Sequence, residues 1–343
     1  MKHRSFLCEV GAASLLGCVT RAGGALLISL MVAAGAAAGQ QASPPTAGVL
    51  RVRTEVVNVY AVVKDKNGRL ISNLDKNDFE ITEDGVPQTI RYFSKATDAP
   101  LTMALMVDTS PSQQRVLPLE QQTADEFINE VMRPKDLMCV LHFDIQVELL
   151  QDFTASTRML TQAVDETQIN GGGQGPLPGT FPSAHIGGTH LYDAIWLAST
   201  QLMNTQVGRK VAIMLTDGED QGSKESLDRA LKAAQEANMM VYSVDIVDRA
   251  FYGMANIGFN GDAVLRRLSE ETGGEVIRVT REKDASAAFT QIADQLRTQY
   301  LLGYTPTNKA RDGTYRRIRV RIRGKEGRYY KVQARRGYYA PTG

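Results

Sequence analysis

The sequence predicts an α/β protein in which a doubly wound, mostly parallel sheet is inserted between two flanking β-strand segments. Three observations predict this fold. Short apolar runs alternate with helical patterns through the middle of the chain, which is typical of a parallel sheet with helices on both faces. Alternating polar and apolar residues, broken by Gly-containing turns, occur on both sides of that region. The length of 343 residues, with 43% hydrophobic and 22% charged residues, fits about two folded domains.

The first 38 residues have the features of a secretory signal peptide. Basic residues accompany an apolar stretch at residues 25–34, and Ala36-Ala37-Ala38 offers a cleavage site. An uncleaved N-terminal anchor, or a lipid on Cys18 within Leu15-Leu16-Gly17-Cys18, is the alternative. Each version takes the chain out of the cytoplasm, to the periplasm, the cell surface or the medium. Residues 39–48, rich in Ala, Ser and Pro, are predicted to be a linker.

Residues 49–99 and 303–343 carry the strand patterns that flank the central region. The first segment has turn signals at Asn67-Gly68 and Asp84-Gly85, and the second has predicted strands at Tyr315–Arg323 and Arg328–Ala334, joined by Gly324–Gly327. We expect these turns to close local hairpins. Because isolated hairpins are only marginally stable, we predict that the two segments pair into one small β-sandwich.

Residues 100–302 are predicted to form the doubly wound domain. The predicted strands are Met103–Val107, Leu137–Phe143, Val211–Leu215, Met240–Ile246 and Glu275–Val279, and the predicted helices start near Leu117, Thr157, Leu191, Glu225, Asp262 and Ala285. With three cysteines the chain lacks the residues for a disulfide framework or a four-cysteine zinc site. Cys139 lies in an apolar run and is predicted to be a core residue.

Polar residues follow two of the apolar runs. Asp108, Ser110 and Ser112 come directly after the first, and Asp217 follows the run Val211–Leu215. In a doubly wound sheet, ligand sites form where strands end at the carboxyl edge. An oxygen-only cluster with few carboxylates suits Mg²⁺ or Mn²⁺ and disfavours zinc. Each fragment alone is also typical of a helix cap or a turn.

A third fragment, Gly187-Gly188-Thr189, lies between the other two in the sequence. Together the three resemble the von Willebrand factor type A (VWA) domain and its metal-ion-dependent adhesion site (MIDAS). The flanks also resemble the acidobacterial-type VWFA-related family, through Asp78-Phe79-Glu80 with Asp84-Gly85, Tyr300–Pro306 and Gly337–Pro341. The resemblance implies a Rossmann-like sheet and a metal held by Asp108, Ser110, Ser112, Thr189 and Asp217. It also implies a protein ligand that presents an acidic side chain to the metal.

The sequence favours a binding module over an enzyme. It contains no GxSxG, HExxH, phosphate-loop or dinucleotide-binding motif. A metal-assisted hydrolase stays as an alternative, because His190 adjoins Thr189. Two loops are candidates for the partner surface: residues 170–188, which lead to Thr189, and residues 248–261, which contain Phe251, Tyr252, Met254 and Phe259. The alternative is that these aromatic rings fold back onto the domain.

The C-terminal region is strongly basic although the whole chain has a net charge of +1. From Lys309 to Gly343 there are twelve Lys or Arg residues and only two acidic ones. In residues 317–323 arginines alternate with Ile and Val, which predicts a half-buried strand with an arginine face. That face is either an ordinary solvated surface or a site for a polyanion. For an exported protein the polyanion would be a surface polysaccharide or an anionic lipid, and no nucleic acid partner is expected.

Overall fold

The computed structural model describes residues 56–95, 99–169, 188–246, 261–279 and 284–343. The predicted signal peptide with Cys18 and the predicted linker lie outside these residues. So do residues 170–187 and 248–260, which make up nearly all of the two predicted partner loops. Within the described residues, no helix combines the length and the apolar character needed to cross a bilayer.

A six-stranded sheet forms the centre of the fold. Its strands are β5 (Leu101–Asp108), β6 (Leu137–Phe143), β7 (Val147–Thr154), β8 (Arg209–Thr216), β9 (Met239–Ile246) and β10 (Val276–Val279). They are arranged in the order β10-β9-β8-β5-β6-β7, and all neighbours are parallel except the antiparallel pair β6–β7. The predicted strands are therefore present, and β7 is an additional edge strand that the sequence analysis missed. Its residues are only partly buried, so it lacks the continuous apolar run that marks the other strands.

Helices cover both faces of this sheet. They are α1 (Leu117–Val131), α2 (Thr157–Asp165), α3 (Leu191–Leu197), α4 (Leu227–Glu236), α5 (Gly261–Thr272) and α6 (Ala285–Arg297). Every residue of β5 is buried, and its side chains alternate between two separate cores. Leu105 packs in the core that contains residues of α1, α2 and α6, whereas Met106 packs in the core that contains residues of α3, α4 and α5. The sheet is therefore doubly wound.

The flanking segments form two four-stranded antiparallel sheets. Their strands are β1 (Val57–Lys64), β2 (Phe79–Glu83), β3 (Val86–Gln88), β4 (Ile90–Lys95), β11 (Tyr300–Tyr304), β12 (Tyr315–Ile322), β13 (Lys331–Ala334) and β14 (Gly337–Tyr339). The sheet orders are β13-β1-β11-β4 and β14-β12-β2-β3, so each sheet joins strands from before and after the central domain. One apolar cluster contains side chains of both sheets, including Val59, Phe79 and Tyr300. The predicted fold class, an α/β domain inserted between segments that form a β-sandwich, is confirmed.

The local hairpins are predicted less well than the fold. The Asp84-Gly85 turn does connect two paired strands, β2 and β3, with both turn residues at positive φ as a type I′ turn requires. The turn at Asn67-Gly68 also reverses the chain, but only a single antiparallel bridge, between Leu70 and Lys64, follows it in the described residues. Along most of its length β1 pairs instead with β11 and β13. The predicted hairpin between Tyr315–Arg323 and Arg328–Ala334 is also wrong, because Lys325–Tyr329 is a 3₁₀ helix and β13 joins the other sheet. Strand β11 begins at Tyr300, before the predicted end of the central domain at residue 302.

A buried polar contact joins the sandwich to the central domain. Lys64 of β1 places its Nζ atom 2.5 Å from Oε2 of Glu275, just before β10. The same oxygen accepts a hydrogen bond of 2.7 Å from Nε2 of Gln295 on α6. Since Lys64 is buried, its charge is compensated where the two parts of the protein meet.

Candidate metal site at the carboxyl edge of the sheet

The two aspartates of the predicted site lie at the ends of neighbouring strands. Asp108 is the last residue of β5, and Asp217 directly follows the last residue of β8. These strands are parallel and in register, with Val107 beside Leu215. The hydroxyl of Thr216 donates a 2.6 Å hydrogen bond to Oδ2 of Asp108. Both aspartates are buried, at 0% and 1% exposure, so the fold brings two carboxyl groups together inside the sheet edge.

The Asp-x-Ser-x-Ser segment folds into a tight loop around Asp108. The backbone N–H of Ser110 donates a 2.9 Å hydrogen bond to Oδ1 of Asp108. The hydroxyl oxygens of Ser110 and Ser112 lie 3.0 Å apart in a hydrogen bond. Asp108 therefore shapes its own loop, as the turn interpretation of this fragment expects. The same contacts bring all three side chains of the first fragment to one place.

Gln113 connects the first fragment to Asp217. Its Nε2 atom donates to Oδ2 of Asp217 at 2.7 Å and to Oγ of Ser112 at 3.3 Å. Gln113 is fully buried, and its Oε1 atom has no hydrogen-bond partner among the described residues. A continuous chain of contacts thus runs from Asp108 through both serines and Gln113 to Asp217. The sequence analysis missed Gln113, since a polar residue after the motif looks no different from any other turn residue.

Thr189 is placed near this cluster by its backbone. Its N–H and carbonyl pair with the carbonyl and N–H of Gln221 at 3.1 and 2.8 Å. A Cβ atom at the preceding Gly188 would lie 2.7 Å from the Gln221 carbonyl oxygen, so this approach requires glycine. Among the residues that the structure describes, no hydrogen bond joins the Thr189 side chain to the other four predicted ligands.

Asp144 links the Thr189 segment to the Asp108 loop. The N–H of His190 donates to the Asp144 carbonyl oxygen at 2.6 Å, and the Thr109 hydroxyl donates to Oδ2 of Asp144 at 3.0 Å. Thr109 follows Asp108, and His190 follows Thr189. The structure therefore brings the segment that carries Thr189 to the edge of the sheet where the other four predicted ligands lie.

Burial and like charge both act on Asp108. Burial is the larger effect, and together with the nearby Asp217 carboxylate it raises the pKa of Asp108 to about 7. Hydrogen bonds from Ser110 and Thr216 favour the charged form and oppose this shift. Asp108 has no ion-pair partner among the described Lys and Arg side chains.

Glu120 adds a third buried carboxyl group that the sequence analysis did not identify. It lies near the start of α1, fully buried, and neither side-chain oxygen has a hydrogen-bond partner among the described residues. Burial raises its pKa well above the usual value, and the charges of Asp108 and Asp217 raise it further. In the sequence it resembles an ordinary acidic residue in the first turn of a helix, where such residues are common.

The donors present fit a hard divalent cation. Two carboxylates and three hydroxyl groups offer oxygen only, which suits Mg²⁺ or Mn²⁺. In the described part of the chain, no group of three or more His, Cys, Asp or Glu side chains is close enough to hold an ion. A site rich in nitrogen or sulfur, which zinc prefers, is thus not found in these residues.

The histidines near the site do not form a nucleophile arrangement. Nδ1 of His142 lies 2.9 Å from the Thr109 hydroxyl, and its Nε2 lies 3.4 Å from Glu148. Among the described contacts, the Thr109 hydroxyl donates to Oδ2 of Asp144, and Ser110 has no histidine within hydrogen-bond distance. These observations weaken the hydrolase alternative.

Comparison with known proteins identifies the central domain. The family model of the von Willebrand factor type A domain matches residues 180–295, a segment that contains Thr189 and Asp217 and begins after Asp108. No curated protein sequence shows significant similarity to the chain.

Several solved structures are similar to the chain at low identity. Proximal thread matrix protein 1 from the mussel byssus is 15% identical over 63% of this chain, with a TM-score of 0.47. The matched region spans 51% of that mussel protein, about half of its length, and one structure of it has a zinc-occupied MIDAS motif. A von Willebrand factor type A protein from Catenulispora acidiphila is 12% identical over 79% of this chain and 75% of its own, with a TM-score of 0.47.

A third similar structure is BatB, a conserved hypothetical protein from Bacteroides thetaiotaomicron. It is 16% identical over 57% of this chain and 98% of its own, with a TM-score of 0.42. The family model and the doubly wound sheet together identify the central domain. Such domains are generally interaction modules and not enzymes. The chain contains a von Willebrand factor type A domain.

Proposed function

We propose that this protein is an exported, non-enzymatic binding module that holds a protein ligand through a divalent metal ion. The proposed metal ligands are Asp108, Ser110, Ser112, Thr189 and Asp217, and the proposed ion is Mg²⁺ or Mn²⁺. The observation that supports this most strongly is the unbroken chain of contacts from Asp108 to Asp217, formed by residues of two distant fragments.

Some residues of the site supply charge or oxygen ligands, and others orient those ligands. Asp108 and Asp217 supply negative charge, while the hydroxyl groups of the proposed ligands supply neutral oxygen atoms. Thr216 and the Ser110 N–H fix the two oxygens of Asp108, and Gln113 fixes one oxygen of Asp217. When bound, the ion supplies an electrophilic centre with an open position for a partner's acidic side chain.

Calorimetric titration with Mg²⁺ and Mn²⁺ tests the site. We expect the wild type to bind one ion. Asp108→Ala should bind it at least about tenfold more weakly, because loss of a group that only contacts a metal ligand already lowers metal affinity by about 10-fold or more, and Asp108 is proposed as a ligand itself. Asp294→Ala is the matched control, because Asp294 is exposed on α6 and outside the site. Equal binding by wild type and Asp108→Ala, or no binding by the wild type, would contradict the proposal.

Affinity capture from native envelope extract tests the partner class. The protein is expected to retain a partner in the presence of Mg²⁺ and to release it when EDTA is added. N-terminal sequencing of the protein recovered from its native compartment tests export and distinguishes cleavage, retention and lipid attachment at Cys18. Capture that is unchanged by EDTA would argue against binding through the metal.

The arginine face of β12 supports a second candidate function, binding of a surface polyanion. Arg317, Arg319, Arg321 and Arg323 are exposed, while Ile318 and Ile322 between them are buried. Successive arginines on one face of a strand lie about 7 Å apart. No ion pair is found for Arg317, Arg319 or Arg321 within the described part of the chain. These three arginines therefore carry charge without a salt bridge, although Glu80 lies opposite Arg321 on the neighbouring strand.

Retention on immobilised dextran sulfate measures this second function. The double variant Arg319→Gln/Arg321→Gln should elute at lower salt than the wild type, because binding through charge is screened by salt. The control Arg158→Gln changes an exposed arginine on α2 and should elute as the wild type does. If retention depends neither on the salt concentration nor on the double substitution, the arginine face is an ordinary solvated surface. EDTA should not affect this binding, which separates it from the metal site.

A further inference from the structure

We infer that Glu120 belongs to the metal site as a third carboxyl group, which adds negative charge from the inner side of Asp108 and Asp217 without binding the ion directly. This inference rests on the proposed metal-binding function and assigns it a residue outside the Asp-x-Ser-x-Ser, Thr and Asp pattern.

The position of Glu120 ties it to the site. Helix α1 begins five residues after Ser112, so its first turn follows directly on the loop that carries the proposed ligands. Glu120 lies three residues after Leu117 and four before Ala124, and all three are buried. This spacing puts them on one side of the helix, the side that packs on the sheet. Glu120 therefore faces the sheet near the end of α1 that is closest to Asp108.

The surroundings of Glu120 leave its carboxyl group uncompensated. Neither Oε1 nor Oε2 has a hydrogen-bond partner within the described residues, although the side chain has 0% exposure. Burying a carboxyl group without a partner is costly, so native proteins rarely leave one in this state. Among the described residues, the charges that raise the pKa of Glu120 are those of Asp108 and Asp217, and both have the same sign as a Glu120 carboxylate.

A bound cation would compensate the charge of these buried carboxyl groups. Three carboxyl groups within electrostatic range of one another, two of them at the proposed site, repel as long as they are ionised. An apolar residue of similar size at position 120 would avoid that repulsion and pack in the same core. A bound divalent ion offsets the repulsion among the three carboxylates, because it interacts favourably with all three charges at once.

Glu120 takes an outer position in this site. Among the described residues, Glu120, Asp108 and Asp217 do not form a group of three acidic side chains close enough to hold an ion together. In this position Glu120 acts through charge at longer range, as outer groups of metal sites do. Such groups typically change metal affinity by about 10- to 100-fold when they are removed.

Calorimetric titration of Mg²⁺ into the full-length Glu120→Gln protein tests the inference. Glutamine keeps the size and hydrogen-bonding shape of the side chain but removes its charge. We expect binding about tenfold weaker than in the wild type. Urea unfolding in EDTA provides a second measurement, in which Glu120→Gln should unfold at a higher urea concentration than the wild type. Glu130→Gln, an exposed position on the same helix, should match the wild type in both.

The outcomes separate this inference from the proposed function. If the wild type binds Mg²⁺ and Glu120→Gln binds it within about twofold as tightly, the metal site stands and the role of Glu120 is overturned. If Glu120→Gln unfolds more easily than the wild type in EDTA, the carboxyl group has a structural partner and the inference is also overturned. If the wild type binds no metal ion, the proposed function fails and this inference fails with it.

Discussion

The metal-free protein is expected to lose stability as the pH rises from about 4 to about 7, because of Asp108. Burial and the Asp217 charge raise the pKa of Asp108 from its usual 3.8 to about 7 in the folded protein. Between these values the folded state binds a proton that the unfolded state has released. The free energy of unfolding therefore falls with pH in this window. Each pKa unit corresponds to about 1.4 kcal/mol, so the full loss is about 4 kcal/mol.

Urea unfolding of wild type and Asp108→Asn in EDTA measures this effect, together with the change that Asp108 imposes on the neighbouring carboxyl groups. Asparagine does not titrate, and any hydrogen bond that it fails to make to Ser110 or Thr216 costs the same at every pH. The difference in unfolding free energy, variant minus wild type, should rise by about 3 kcal/mol between pH 4.5 and 7.5, because about 1 kcal/mol of the full effect is already lost at pH 4.5. With an m value of about 1–3 kcal/mol per molar urea, the unfolding midpoints separate by about 1 M or more.

The sign of the change is the critical result. A difference that stays constant with pH, or that falls, would refute the reasoning, because it would mean that the Asp108 carboxylate is already compensated in the metal-free fold. Saturating Mg²⁺ provides the matching control. It should restore stability to the wild type at pH 7.5 and leave the Asp108→Asn protein nearly unchanged, since the ion stabilises only the fold that binds it.

Two further substitutions test other contacts. Arg297→Ala should lower the free energy of unfolding by about 3–5 kcal/mol, because it removes the guanidinium that lies 2.6 Å from the fully buried Asp136. Urea unfolding at pH 7 measures this, and a loss below about 1 kcal/mol would contradict it. Gly261→Ala should weaken Mg²⁺ binding, because the new Cβ atom would overlap the carbonyl oxygen of Asp217. Titration calorimetry measures this effect. Gly68→Ala is the control, because a Cβ atom at that position meets no atom within 4 Å.

The sequence predicts the central domain well because its signals are local. A buried strand such as β5 needs a continuous apolar run, and that run is visible without any knowledge of neighbours. Helices α1, α2, α3 and α6 begin at the predicted residues, Leu117, Thr157, Leu191 and Ala285. Strand β7 escapes prediction because, at the edge of the sheet, its burial depends on what packs against it.

Strand pairing in the sandwich depends on contacts that a turn does not encode. The Asp84-Gly85 turn specifies a reversal and here also the pairing of β2 with β3. The segment at Lys325–Tyr329 also reverses the chain, but β13 crosses to the other sheet and pairs with β1. Which sheet a strand joins is decided by apolar burial and by polar contacts such as Lys64 with Glu275, which link residues more than 200 positions apart. Such contacts are not visible in a local pattern.

The site shows the same division between local and tertiary information. Asp108, Ser110 and Ser112 are recognised from their spacing, and Asp217 from its place after an apolar run. Gln113 and Glu120 are common residue types at common positions, a turn and the first part of a helix. Only the packing of α1 on the sheet reveals that Glu120 is buried, and only the placement of β8 beside β5 brings Gln113 within 2.7 Å of Asp217.

In the proposed site, buried acidic groups at this edge couple metal binding to the stability of the fold. Asp108 is costly to ionise in the metal-free protein, and Glu120 has no partner among the described residues. Selection for stability alone would favour neutral residues at both positions. A metal ion reverses that preference, since an ion at 100 times its dissociation constant stabilises the folded state by about 2.7 kcal/mol. The charges that weaken the empty fold are therefore the ones that make it hold the ion, and substitutions at Asp108 and Glu120 should move metal affinity and metal-free stability in opposite directions.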